Sequence, residues 1–268
     1  MASTGLADRL WPGYQRLMLN FIEHGPRSDA PGLLIVHGLY GSARNWGVIA
    51  KRLSDTRQVV AVDMRNHGLS PWHETHSYPD MANDLAEVLT HLDGPFDVLG
   101  HSMGGKAAMV LALTRPELVN RLIVADIAPV AYTHSQIQFI DAMKAVDLSQ
   151  VEKRSDVADQ LSGVLDDPTL ISFFTQSIDI KSKKWLLNLD VLAAEMPKIL
   201  SFPDLSGHYD GPTLFLSGAN SDYVKREYRD RIKALFPKAQ FAKIPEAGHW
   251  LHAERPREFE AAVRTWLG

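Results

Sequence analysis

Six short apolar runs punctuate the chain, at 33–36 (LLIV), 58–62 (QVVAV), 96–99 (FDVL), 122–125 (LIVA), 213–216 (TLFL) and 241–244 (FAKI). Runs this short, with helical spacing between them, predict a parallel sheet buried on both faces. Helices are expected at 103–114, directly after the third run, and at 257–267. Right-handed crossovers between such elements give a doubly wound α/β sheet. The middle of the chain is patterned differently. Of the 18 glycines, only Gly163 and Gly207 fall between positions 130 and 210. There Val157, Leu161, Val164 and Leu165 recur at i, i+4, i+7 and i+8, one face of a helix with Ser155 as its N-cap. Asp167-Pro168 reads as the N-cap and first position of a helix over 169–176, and a further helix at 190–196 is stopped by Pro197. The chain therefore divides into an α/β core, 1–129 and 210–268, and a helical lid inserted at 130–209.

Composition narrows the class without naming a function. With 28 basic and 32 acidic residues among 268, the formal charge is −4, so the broad basic footprint of a nucleic-acid binder is missing. No cysteine is present, which excludes a disulfide scaffold, a thiolate metal site and a cysteine nucleophile. Residues 1–20 show no apolar run behind a basic start, and no segment approaches the roughly 18 apolar residues of a membrane span. A cytoplasmic globular protein is expected.

Chemistry concentrates in three places. Gly100-His101-Ser102-Met103-Gly104-Gly105 follows an apolar run and opens a helix. A serine at a sharp strand-to-helix turn occupies a strained backbone, and glycines two residues to each side relieve the clashes. A dinucleotide loop fits poorly, because the glycines do not match G-x-G-x-x-G. His37-Gly38-Leu39-Tyr40-Gly41 follows the first run; acyl transfer needs two N–H donors at the oxyanion, and Leu39 and Met103 are the candidates. His249, in Glu246-Ala247-Gly248-His249-Trp250, lies beyond the last run and is the candidate base. His37, His101 and His252 read as structural. His73-Glu74-Thr75-His76 lacks the i, i+4 spacing of a zinc motif and reads as a solvated loop, as does the lysine cluster at 181–184.

In the order of these motifs, with Asp63-Met64-Arg65-Asn66-His67-Gly68-Leu69-Ser70 between them, the chain resembles the α/β-hydrolase superfamily over nearly all of its length outside 130–209. Residues 100–106, Asp126-Ile127-Ala128-Pro129-Val130 and Gly218-Ala219-Asn220-Ser221 resemble a group of small esterases acting on short acyl esters and thioesters. The resemblance implies a serine carboxylesterase working through an acyl-serine, with no cofactor and no metal. The acid departs from the superfamily pattern. That pattern expects it three positions after the glycine ending the 213–216 strand, where this chain has Ser221, and Asp222 is one residue late. Asp126 competes: it follows four apolar residues, a buried carboxylate there needs a partner, and the subgroup places its acid at the corresponding Asp-Ile-Ala-Pro. Asp126 is preferred, with Asp222 as the alternative.

Ser102 in place of a carboxylate excludes the covalent chemistry of dehalogenases and epoxide hydrolases on this fold. A diketone C–C hydrolase and a non-catalytic binding protein are the alternatives. The first wants arginines over its pocket, and the insertion has only Arg154. Specificity should come from the insertion, so Tyr40, Phe139, Met143, Trp185, Leu186 and Trp250 are the pocket candidates for a small to medium acyl ester.

Overall fold

The computed structural model describes residues 18–268. Most of the segment read above for a targeting signal, 1–17, lies outside the described residues. Among the described residues the strands are β1 (Phe21–His24), β2 (Leu33–Val36), β3 (Val59–Val62), β4 (Phe96–His101), β5 (Val119–Ala125), β6 (Ile178–Asp179), β7 (Lys184–Trp185), β8 (Thr213–Gly218) and β9 (Ala239–Ile244). The helices are α1 (Gly47–Leu53), α2 (Tyr78–His91), α3 (Met103–Thr114), α4 (Ile137–Ala145), α5 (Arg154–Leu161), α6 (Pro168–Thr175), α7 (Leu189–Ala194), α8 (Met196–Leu200), α9 (Arg229–Leu235), α10 (Leu251–Glu254) and α11 (Pro256–Leu267). Seven strands make one sheet in the order β1-β3-β2-β4-β5-β8-β9. It is parallel throughout except for β1, which pairs antiparallel with β3.

All six predicted runs are strands of this sheet. The unpredicted member is β1, whose Phe-Ile-Glu-His sequence is half exposed at the edge and carries no apolar run. β2 and β3 are buried at every position, because the sheet is covered on both faces. Leu33 and Ile35 face a layer holding Trp46, Ile49, Phe259 and Val263, whereas Leu34 and Val36 face α2 and α3. In α11 the buried residues Phe259, Val263 and Leu267 recur every fourth position and supply the first layer.

Between β5 and β8 the chain runs through α4 to α8 and the antiparallel pair β6–β7. Asp167 caps α6 as predicted, its carboxylate accepting the Thr169 N–H at 2.8 Å. Three local expectations are corrected. Lys153, not Ser155, occupies the N-cap of α5, because the Asp156 carboxylate reaches back to the Glu152 and Lys153 N–H groups and sets the helix start earlier. That helix ends at Leu161, leaving Val164 exposed beyond it. Pro197 sits in the first turn of α8 rather than merely ending α7, since a proline there gives up an N–H that has no partner anyway.

Close approach fixes one glycine. A Cβ on Gly104 would lie 2.4 Å from the carbonyl oxygens of both Val36 and His37, so α3 touches the end of β2 backbone to backbone. Gly104→Ala is expected to lower the midpoint of urea unfolding, at an overpacking cost of about 1–3 kcal/mol. An unchanged midpoint would show that the contact yields freely.

Candidate active site

The β4–β5 register opposes Gly100 to Val124 and His101 to Ala125, so the next pair in line is Ser102 and Asp126. The Ser102 N–H donates to the Ala125 carbonyl at 3.0 Å, extending the ladder one step past the strands. There both chains leave the sheet with positive φ, 51° at Ser102 and 53° at Asp126. A side chain held in that region costs of order 1–3 kcal/mol and persists only where its surroundings over-determine it. At Ser102 the packing does so: a Cβ on Gly100 would meet the Gly104 carbonyl oxygen at 2.3 Å, which leaves no room for a wider turn.

His249 arrives from the loop after β9. Glu254 holds that loop on both sides of the histidine, accepting the Gly248 N–H at 2.7 Å and the Trp250 N–H at 3.1 Å. His101 donates its Nε2–H to the His249 carbonyl at 2.8 Å. The His249 ring then lies with Nε2 3.0 Å from Ser102 Oγ and Nδ1 2.7 Å from Asp126 Oδ2. Asp126 is fully buried and is satisfied further by the Gly218 N–H at 3.0 Å and the Ser221 hydroxyl at 2.5 Å. Asp222 points outward, and among the described residues it has no hydrogen bond to His249.

The loop at 37–41 lies directly over the serine; a Cβ on Gly38 would sit 3.2 Å from Ser102 Cβ. His37 donates Nδ1–H to the Gly38 carbonyl at 2.7 Å and accepts the Met64 N–H on Nε2 at 2.9 Å. His67 donates to the Arg65 carbonyl and accepts the N–H of Tyr40, itself at φ 64°, at 3.2 Å. Among the described residues the N–H groups of Leu39 and Met103 meet no protein acceptor. His76 corrects the reading of 73–76 as a solvated loop. It is fully buried, with Nε2 3.3 Å from Met103 Sδ, whereas Glu74 and Thr75 beside it are exposed. Burial pushes His37 below the usual histidine range, His67 and His101 well below it, and His76 and His252 down to about 3. The surroundings of the site are thus built from neutral imidazoles.

A cavity of about 250 Å³ opens onto Ser102. Tyr40, Phe139 and Trp250 line it, joined by Phe173, Phe174 and Leu170. Met143, Trp185 and Leu186 do not. Met143 is packed inside the helical segment, where its carbonyl takes the Trp185 indole N–H at 3.0 Å, and Leu186 donates its N–H to Ser177. The sequence reading also passed over Lys106 and Tyr223, both at the cavity. Lys106 had a signal: a lysine four residues after Ser102 on α3 faces the same side as the serine. Tyr223 had none beyond its place next to Asp222.

A serine on a sharp turn at the carboxyl end of a parallel sheet, bonded to a histidine and through it to a buried aspartate, defines an ester-hydrolysing serine hydrolase. The chain belongs to the alpha/beta hydrolase family, whose model matches residues 33–262. It is 44% identical over 250 residues to the sn-1-specific diacylglycerol lipase ABHD11 of Mus musculus, covering 88% of this chain and 81% of that protein. It is 38% identical over 240 residues to esterase YbfF of Escherichia coli K12, covering 88% and 92% respectively. A solved marine microorganism esterase superposes with a TM-score of 0.88 at 38% identity, covering 93% of this chain and 99% of that one. No helix among the described residues is long and apolar enough to cross a membrane.

The buried histidines carry a stability consequence. A histidine kept neutral in the fold binds its proton only in the unfolded chain as pH falls below about 6.5. Stability is therefore full above that value and is lost downward, by about 1.4 kcal/mol per pH unit per histidine, until the folded pKa is reached. For His252 this window runs from 6.5 to about 3. Its ring stacks on Trp46 at 4.1 Å and its Nδ1 has no partner, so phenylalanine should fit. His252→Phe should flatten the dependence of unfolding free energy on pH across that window by about one proton. Urea melts between pH 4 and 7, on the two proteins side by side, check it; equal slopes would refute it.

Proposed function

We propose that this protein is a carboxylesterase that hydrolyses small to medium acyl esters through an acyl-serine, thioesters being open to the same chemistry. The observation that carries the proposal is the unbroken relay from Ser102 Oγ through His249 to Asp126, at 3.0 and 2.7 Å, opening on the apolar cavity. Ser102 Oγ attacks the ester carbonyl while His249 Nε2 takes its proton. Asp126, fully buried, holds Nδ1–H and stabilises the imidazolium that forms. The oxyanion faces the N–H groups of Leu39 and Met103, the latter at the start of α3 where the helix favours negative charge. His249 then protonates the departing alcohol, and a water molecule, deprotonated by the same imidazole, releases the acid and restores Ser102. Each step is complete without a metal or cofactor, and the helical segment at 130–209 acts as the lid.

The cavity's size decides the substrate range. About 250 Å³ lies below the roughly 300–1,000 Å³ usual for ligand pockets, which favours short acyl groups over the long chains of a diacylglycerol. Ester hydrolysis itself agrees with the lipase and esterase names of the relatives above. A diketone hydrolase is disfavoured because Lys106, the one Lys or Arg lining the cavity among the described residues, has its ammonium committed to the carbonyls of Leu200 and Ser201. A cytoplasmic location and a small-molecule ester as substrate, without nucleic acid, complete the reading.

Ser102→Ala should lower kcat on p-nitrophenyl acetate by about 10⁶ with an unchanged melting temperature. Asp126→Asn keeps the shape but favours the wrong imidazole tautomer, and should cost about 10⁴. Asp222→Asn should behave like the parent. An active alanine variant would end the serine-esterase assignment, and a collapse confined to Asp222→Asn would move the acid.

A further inference from the structure

Tyr223 takes part in none of these steps, yet it touches the imidazole on which they turn. Its ring lies 3.9 Å from that of His249, centroid to centroid, with 19° between the planes. The His101 ring also stands 4.9 Å away, tilted by 41°. The Tyr223 ring thus covers a face of the imidazole, and the two nitrogens are left at the edge for Ser102 and Asp126. A ring held only by its nitrogens could still tilt about the line joining them; a stacked partner removes that freedom.

Tyr223 is itself tied down along its length. Its N–H donates to Ser221 Oγ at 3.3 Å, and that hydroxyl binds Asp126. Its carbonyl accepts the Tyr132 hydroxyl at 2.6 Å, and its own hydroxyl pairs with His134 Nε2 at 2.7 Å. Tyr132 and His134 belong to the arm leading from β5 into α4, so the ring over His249 is braced from the helical segment as well as from the core. An aromatic face also attracts a cation. The imidazole becomes one when it takes the serine proton, so the stack strengthens at the moment of reaction.

We propose that Tyr223 is a positioning residue of the hydrolytic site: its ring fixes the plane of the His249 imidazole, faces the imidazolium formed in turnover, and couples both to the arm carrying Tyr132 and His134. The proposal rests on His249 being the base. Ring and hydroxyl are separable, because Tyr223→Phe keeps the stack and Tyr223→Leu removes it. Misplacing a catalytic group by about 1 Å can cost on the order of 10²-fold in rate. Tyr223→Leu should therefore lose that much in kcat per fluorophosphonate-titrated site, with little change in KM, while Tyr223→Phe retains the parent kcat. In proton spectra the strongly deshielded Nδ1–H signal of His249 should persist in the phenylalanine variant and broaden away in the leucine one. Tyr223→Met, also without an aromatic face, takes the place of the leucine variant should that one melt at the assay temperature. A leucine or methionine variant that keeps the parent kcat overturns the proposal. So does a phenylalanine variant that falls as far as leucine, since the hydroxyl tether would then be the active part. Ser102→Ala run alongside separates the two layers: its activity would refute the serine mechanism in which His249 is the base, whereas its inactivity with an unaffected Tyr223→Leu refutes the stack alone.

Discussion

One fully buried carboxylate organises the carboxyl end of the sheet. An ionised side chain cut off from water is tolerated only where hydrogen bonds replace its hydration. Asp126 sits at 0% exposure and collects three such bonds, from the Gly218 N–H, the Ser221 hydroxyl and the His249 imidazole. These donors come from the end of β8, the loop after it and the loop after β9. Satisfying one group thereby draws three separate segments to the place where β4 releases Ser102. The register of β4 on β5 does the rest, because it sets Ser102 and Asp126 opposite each other before any side chain is considered.

Around that centre the protein uses neutral imidazole where a charged residue could not serve. His37 and His67 each donate to one backbone carbonyl and accept one backbone N–H, a pairing that lysine and arginine cannot provide. They hold the loop at 37–41 in shape, including Tyr40 at positive φ, without adding a field of their own. Desolvation is what keeps them neutral, as it does His101 and His252 nearer to His249. On the mechanism proposed above, a proton placed on His249 is the principal charge to appear there, and the groups in contact with that ring are Asp126 and Tyr223.

What the sequence makes legible follows from how local each signal is. Buried parallel strands announce themselves as apolar runs, and all six were visible, whereas β1, an exposed edge strand of four residues, was not. The elbow at Ser102 was legible because Gly100 answers a clash with the Gly104 carbonyl only four residues on. The burial of Asp126 could be argued from its apolar strand, since burial is a sequence-visible pressure, and Asp222 is exposed. Met143 and Trp185 misled for the same reason: a large apolar side chain in a helical segment packs against its neighbours as readily as against a ligand. His76 was misread because its neighbours are polar, and burial there is decided by the fold of the loop. Contacts set by distant loops, such as Tyr223 over His249, leave no local pattern.

The attachment of the helical segment has a consequence for how the cavity varies. α8 ends with carbonyl groups that its own five residues cannot satisfy. The core supplies the partners: the Tyr78 hydroxyl donates to Ile199, and Lys106 Nζ donates to Leu200 at 2.9 Å and Ser201 at 2.6 Å. Burial pushes Lys106 down to about 7, yet the amine donates in either protonation state, so the fastening survives its titration. Lys106 lies one helical turn beyond Ser102, which pins the return of the segment beside the serine. The other wall is tied to the core only at the helix ends, where the Tyr40 hydroxyl donates to the Gln136 carbonyl at 3.0 Å before α4 and Asn45 Nδ2 donates to Gln176 Oε1 at 2.8 Å after α6. Phe139 and Phe173 meet the cavity from α4 and α6 through ring contacts, Phe139 on Phe174 and Phe173 on Trp250 at 4.3 Å. Ring packing is non-directional and tolerates changes of size far better than a buried amine bonded to two carbonyls. Differences in acyl length among proteins of this architecture should therefore arise from the α4 and α6 side, with the α8 side held constant by the need to satisfy its own backbone.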